Sequence, residues 1–201
     1  FRLALKTQRI EPLAQDISVI VPYKALNELS KILQKNKSDQ TVQITLSDQK
    51  IAFIVNDVIL VSRLLQGQFP DYKQVLPQTT ENKFVINRKS LLSACDRASI
   101  IASYVNHLIR VEFSQEQMQI SSRAPKLGDF KEELELSRVL GDANMKISFN
   151  VKLILDAIKL IESDDILIEF NSELSPCCIR PASDTDYTYI VMPIRTSDFE
   201  T

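Results

Sequence analysis

Apolar residues recur at helical spacing in three segments of the chain, and each segment is entered from a short apolar run with strand character. Residues 17–21 lead through Pro22, suited to a first helical position, into a helix predicted over 23–34 with Leu26, Leu29, Ile32 and Leu33 on one face. Residues 84–86 lead through Asn87, a good N-cap, into a helix over 89–102 whose stripe is Leu91, Leu92, Cys95 and Ala98. Residues 146–149 lead through Asn150 into a helix over 151–162 with Ile154, Leu155, Ile158 and Ile161 facing inward.

Each helix is followed by three β-rich runs with turn residues between them: 41–46, 50–55 and 58–65, then 108–113, 117–122 and 130–136, then 166–170, 177–181 and 187–192. Lys24, Lys89 and Lys152 hold the same place near the three helix starts, 65 and 63 residues apart. The pattern predicts three copies of one βαβββ unit, and residues 1–6 read as the closing strand of an earlier unit. Two such units make a two-layer α+β domain with an outer antiparallel sheet and helices on its inner face. The second and third units then form one domain over 83–201, residues 77–82 are a linker, and 1–76 are the latter part of a preceding domain. A half-domain exposes apolar surface, so Leu26, Leu29 and Leu33 are expected to be poorly covered.

Composition narrows the chemistry. The 201 residues are 44% hydrophobic and 25% charged, as in ordinary folded, water-soluble proteins. At the usual ~7% a chain this long holds about 14 glycines; this one has Gly67, Gly128 and Gly141, too far apart for a phosphate loop or a dinucleotide fingerprint. A single histidine, His107, rules out zinc sites that need a His pair. Cys95, Cys177 and Cys178 make neither a disulfide framework nor a four-cysteine metal site, which suits a reducing cytoplasm. The carboxylates Asp71, Asp156, Asp164 and Asp165 are dispersed, and nothing assembles a nucleophile, a base and an orienting group. No apolar run is long enough for a membrane span, and the chain starts at Phe1 without an initiator methionine, which reads as a fragment. A net charge of −2 argues against bulk attraction to nucleic acid. Its distribution is uneven, however, because Lys24, Lys31 and Lys35 share one helix face, Lys152 and Lys159 another, and Arg88, Lys89 and Arg97 gather on the second helix. By themselves these faces describe solvated helices as well as anion-attracting ones.

The segment Gly-Gln-Phe-Pro-Asp-Tyr-Lys-Gln-Val-Leu-Pro (67–77) resembles the inter-domain hinge of the bacterial sliding clamps, the beta subunits of DNA polymerase III. Phe-Asn-Val-Lys-Leu-Ile-Leu-Asp-Ala-Ile (149–158) resembles that family's last helix entry, Tyr-Ile-Val-Met-Pro-Ile-Arg (189–195) its C-terminal signature, and Arg-Leu-Ala (2–4) the remnant of a motif in its middle domain. These motifs fall in the family's order and span essentially the whole chain.

The resemblance implies a non-catalytic processivity factor without a cofactor, soluble in the cytoplasm and free of the membrane. Full length, it is a head-to-tail homodimeric ring around double-stranded DNA; this stretch alone is expected to be a monomer. The basic residues Lys24, Lys31, Lys35, Arg88, Lys89, Arg97, Lys152 and Lys159 would then line the hole and attract phosphates without reading sequence. A peptide-binding groove for the polymerase III alpha subunit, the clamp loader and other clamp-binding proteins is implied at Arg2, Leu3, Pro70, Gln74, Val75, Leu76, Ile190, Met192, Pro193, Ile194 and Arg195, with a second subsite at Asn150, Leu153, Leu174 and Pro176. Strand alternation sends only about half of a terminal strand into any groove, and the rest into core. Three positions depart from the family: Gln74 stands where many members have Arg, Leu153 where some have Tyr, and Pro176 where others have a small polar residue. The ring interface maps to Ile100, Ile101, Glu132, Glu133 and Glu135, which without the resemblance are a core pair and a solvated edge strand. Two other functions fit the residues less well: a stand-alone peptide-binding module of the same fold that forms no ring, and a small hydrolase.

Overall fold

The structure, a computed structural model, describes residues 2–11, 13, 15–35, 41–142, 144–183 and 186–195. In chain order its elements are β1 (Arg2–Lys6), α1 (Tyr23–Lys35), β2 (Gln43–Leu46), β3 (Lys50–Val55), β4 (Val58–Arg63), a 3-10 turn (Tyr72–Gln74), β5 (Asn82–Asn87), α2 (Arg88–Ala102), β6 (Leu108–Phe113), β7 (Gln117–Ala124), β8 (Gly128–Glu135), β9 (Arg138–Leu140), β10 (Met145–Asn150), α3 (Val151–Lys159), β11 (Asp165–Phe170), β12 (Cys177–Pro181) and β13 (Tyr187–Val191). Two compact units result, a smaller one over Ile10–Asp71 and a larger one that joins Phe1–Arg9 to Tyr72–Thr201.

In the smaller unit β2, β3 and β4 form an antiparallel sheet. Ile51, Phe53 and Val55 alternate inward along β3, and Ala25 is the buried residue of α1. Asn56 makes the tight β3–β4 turn with φ of +51°, a conformation its short amide side chain tolerates. The predicted strand over 17–21 reduces to one bridge, Ile20 with Leu65, because among the described residues that run meets no longer partner. Pro22 precedes the helix rather than opening it, and its carbonyl accepts the first helical N–H, from Ala25 at 3.0 Å.

The larger unit contains the repeat twice, as β5–α2–β6–β7–β8 and β10–α3–β11–β12–β13. Each helix starts on an asparagine at the end of its entry strand: the Asn87 side chain accepts the Ser90 N–H (3.2 Å) and Asn150 accepts that of Lys152 (3.0 Å). This satisfies a donor that the first helical turn leaves without a partner. The two copies exchange their first strands. Strand β5 pairs with β11, and β10 pairs with β6. The expected single outer sheet is therefore two antiparallel sheets, ordered β1-β13-β12-β11-β5-β9 and β10-β6-β7-β8. Short β9 was not expected, and it pairs with β5. The third helix stops at Lys159 instead of running to residue 162. Of residues 1–6, which the sequence assigns to an earlier repeat, Arg2–Lys6 form an edge strand on β13, and Phe1 lies outside the described residues.

Leu91, Ala94, Cys95, Ala98 and Ala102 of α2 and Val151, Ile154, Leu155, Ala157 and Ile158 of α3 are buried in one core with both sheets. Phe84, Phe113 and Phe170 link the sheets at its centre, with ring centroids 4.1 to 5.4 Å apart. Aromatic contacts of this kind add to the burial that holds a two-layer domain together.

Candidate functional site

Strand β13 divides its side chains between two faces. Tyr187, Tyr189 and Val191 enter the core. Ile190 takes the opposite face, paired with Leu3 on one side and Cys178 on the other. Alternation carries Met192 to that same face. Of these, Leu3 and Met192 are half-buried, whereas Ile190 is only 1% exposed and forms a floor with no free surface of its own. Arg2 points to the other side, where it donates to Asp156 of α3 at 2.5 Å, so the two neighbours Arg2 and Leu3 serve different faces. Tyr189 and then Asp156 hold the Arg2 guanidinium protonated even more firmly than usual. Tyr187 lies beside them, its hydroxyl pushed up to about 12 by burial.

The second-subsite residues come from the β10–α3 junction and from the turn before β12. Ile194 donates its N–H to Ser148 at 2.8 Å, two residues before the Asn150 cap and the first turn of α3 that carries half-buried Leu153. Because Cys177 pairs with Val191, Pro176 comes one step beyond that rung, beside Met192. Leu174 is exposed in the preceding turn, which the Ser175 hydroxyl closes by accepting the N–H groups of Asn171 (3.0 Å) and Ser172 (2.8 Å). Pro176 and Met192 thus lie together on the Ile190 face, followed by half-buried Pro193 and exposed Ile194 and Arg195, whereas Leu153 packs against the core from α3. On the hinge side, Val75 and Leu76 donate their N–H groups to the Tyr72 carbonyl at 3.0 and 3.3 Å, giving a tight turn with Gln74 and Val75 exposed and Leu76 half-buried. Pro70 is an exposed residue of the smaller unit.

The basic residues differ in how far they are already neutralised. Arg97 donates twice to Glu132, at 2.9 and 2.5 Å, and holds that carboxyl below the usual glutamate range. Lys31 pairs with Glu28 (2.7 Å), Lys159 lies 3.9 Å from Asp96 across α2 and α3, and Arg88 donates to the Ser163 carbonyl at 3.1 Å. Exposed Lys24, Lys35, Lys89 and Lys152 form no ion pair among the described residues. Lys89 and Lys152 occupy the first turns of α2 and α3, which carry no acidic residue. A cation at the positive end of a helix dipole does not stabilise that helix, so these two lysines need an explanation other than helix stability.

At the end of α2, Ile100 is 65% exposed and Ile101 half-buried, so they are not the core pair that an isolated reading of the residues allows. Tyr104, in the turn that follows, is also exposed, and nothing in the helical spacing indicates it. Glu132, Glu133 and Glu135 lie along β8, the edge of the four-stranded sheet, where Lys131 lies 3.6 Å from Glu133. Glu132 is occupied by Arg97 of the same chain, so two residues expected to face different partners hold each other.

Among the described residues no cluster of His, Cys, Asp or Glu could hold a metal ion, and no helix is long and apolar enough to cross a membrane. Burial pushes Cys95 up to about 12 and raises Cys177 and Cys178, so none of the three is a ready nucleophile. One charged cluster escaped the sequence reading. Glu169 is buried on the Ile190 face of the six-stranded sheet, where Lys83, Arg180 and Thr80 meet it. Its signal was a lone carboxylate in the otherwise apolar run 166–170.

Residues 73–195 match the family described as DNA polymerase III beta subunit, C-terminal domain, and residues 1–71 match the central domain of the same subunit. The chain is 36% identical over 196 residues to the beta sliding clamp of Staphylococcus epidermidis, covering 97% of this chain and 51% of that one. Among solved structures it resembles the DNA polymerase sliding clamp from Bacillus subtilis, with a TM-score of 0.91, 32% identity, and 97% of this chain against 51% of that chain. It also resembles the sliding clamp (DNA polymerase III subunit beta) from Bartonella birtlesii bound to griselimycin, with a TM-score of 0.86, 29% identity, and 97% against 52%. The chain therefore spans about half the length of the curated relatives it matches. With one family's central and C-terminal domains matched in order, and the β-α repeats folded as its solved relatives are, the chain belongs to the DNA polymerase III beta subunit family.

Proposed function

We propose that the chain serves as part of a DNA sliding clamp, a non-catalytic processivity factor of the cytoplasmic replication machinery. In this reading the complete protein closes as a homodimeric ring around duplex DNA, and this region docks the polymerase alpha subunit, the clamp loader and other proteins through short peptides. The domain division of the sequence reading, 1–76, 77–82 and 83–201, belongs to the same proposal. Exposed Ile100 beside the acidic β8 edge suits the ring interface.

The observation that carries the docking role is the apolar strip of Leu3, Pro176 and Met192 on the Ile190 face of the six-stranded sheet. Aliphatic and thioether walls repack around different anchors, which suits a site with many partners. A relative was solved bound to griselimycin, which supports a binding site on this fold without locating it here. On the DNA side, Lys89 and Lys152 place two cations on helix N-terminal turns that already favour anions. Such contacts are weak, non-specific and salt-dependent, as a ring that slides requires.

Fluorescence anisotropy with a labelled Gln-rich peptide ending in Leu-Phe tests the docking role. Saturable binding by the 201-residue chain is expected, with Met192→Ala losing about 1 to 3 kcal/mol as a buried apolar anchor does. No binding by the wild-type chain, or no effect of the substitution, rejects the groove assignment.

A further inference from the structure

Five strands of the larger unit place one residue each on a single rung: Lys83, Glu169, Cys178, Ile190 and Leu3. They share one face, opposite the core. Of the five, Glu169, Cys178 and Ile190 are at most 2% exposed, although the core lies on the other side of their sheet. Something covers this face, and the hydrogen bonds identify part of the cover. The Thr80 hydroxyl donates to Glu169 Oε1 at 2.9 Å. Asn171 accepts the Glu81 N–H at 2.8 Å and donates to the Thr79 carbonyl at 3.0 Å, and the Asn82 side chain donates to the Asn171 carbonyl at 3.1 Å. Asn82 also accepts the Asp142 N–H at 2.7 Å. Gly141 leaves no room for a Cβ: one built there would lie 2.3 Å from the Glu81 carbonyl oxygen, at a φ of +95°. Residues 79–82 are strapped down.

Glu169 is the charged centre of the strap. Lys83 Nζ lies 3.1 Å from Oε1 and Arg180 Nη2 lies 2.5 Å from Oε2. The Arg180 contact is an ion pair by distance without a well-aligned hydrogen bond on Oε2. A buried carboxylate is tolerated only while its charge is matched, so removing it leaves two cations and a hydroxyl without their common partner.

We propose that Glu169 is a positioning residue for the peptide groove, holding the strap so that Val75 and Leu76 stay within reach of Ile190 and Met192. Neighbouring strands are about 4.8 Å apart, which sets Glu169 about 10 Å from Ile190, two strands away. Leu76 precedes Thr79 by three residues, and three residues span at most about 11 Å. With Thr80 bonded to Glu169 and Thr79 to Asn171, the hinge turn, itself closed on the Tyr72 carbonyl, is held within that reach of the Glu169 end of the sheet, a distance that extends as far as the groove floor. A wall fixed before the ligand arrives need not be ordered on binding, which favours affinity.

The inference rests on the docking reading and is tested with the same labelled peptide on the 201-residue chain, alongside amide hydrogen exchange. In Glu169→Gln the Glu81 amide should exchange faster while β6 and β7 keep their protection, and peptide affinity should fall about tenfold, the cost of ordering a loosened wall. Arg180→Lys, which keeps the charge, should bind within about twofold of wild type. If Glu169→Gln fails to fold, Thr80→Val reads the same coupling through loss of one hydroxyl. A freed strap with unchanged affinity overturns the inference and leaves the docking reading intact, as does an unchanged Glu81 amide. Absence of binding by wild type removes the docking reading, and this inference falls with it.

Discussion

Cys95 and Cys177 lie in the core and Cys178 on the opposite face of the same sheet, yet all three are buried and their thiols raised, with Cys95 at about 12. The largest cause in each case is removal of the thiolate from water, and neighbouring acids push the same way for Cys95 and Cys177. Arg180 pulls Cys178 downward without cancelling its burial. A pKa of 12 leaves about one thiolate in ten thousand at pH 8, and burial hides even that one. The folded chain should therefore consume no Ellman reagent at pH 8 over minutes, and three equivalents in guanidinium. Rapid reaction of one thiol in the native chain would contradict the burial of these residues. In Glu169→Gln, Cys178 should become the first to react, because it neighbours Glu169 on the strapped face.

At the scale of elements, helix stripes and strand alternation were legible because each follows from one period and one buried face. Asn87 and Asn150 were legible as boundaries because a short amide side chain satisfies the first turn better than the helix interior. The exchange of first strands between repeats was not, since an alternating pattern fixes which face of β5 is buried but not that its neighbour is β11. The site divides in the same way. Leu153, Pro176, Met192 and Ile194 were legible as candidates only through the resemblance, whereas the separation of Arg2 from Leu3 and the internal pairing of Arg97 with Glu132 depend on register and on long side chains. The strand exchange has an energetic consequence at Phe170. It lies on β11 with ring centroids 5.4 Å from Phe84 of β5 and 5.2 Å from Phe113 of β6, and so joins the two sheets. Phe170→Ala should cost about 3 to 5 kcal/mol in chemical denaturation, as loss of a fully buried aromatic does. A loss under about 1 kcal/mol would mean that the sheets are not held together through this cluster.

For the molecule as a whole, the two units differ in how much apolar surface they bury. In Ile10–Asp71 the buried apolar residues among those described are Ala25, Ile51, Phe53 and Val55, while Ile17, Leu26, Ile44, Ile59, Val61 and Phe69 remain exposed. Leu26 is exposed as the sequence anticipates, whereas Leu29 and Leu33 are half-buried. The larger unit holds both helices and two sheets around one continuous core. Opening free energy follows buried apolar contact, so the amides of β3 should exchange through a much less costly opening than those of β6 or β11. At neutral pH this predicts exchange about a hundredfold faster or more for Phe53 and Val55 than for Ile109 and Ile168, measured on the same intact chain. Denaturant should abolish the difference only near the midpoint of the larger unit, after β3 has already lost its protection. Equal protection of the two sets in water would mean instead that both units open in a single cooperative step, and that the small core of β3 draws its stability from beyond Ile10–Asp71.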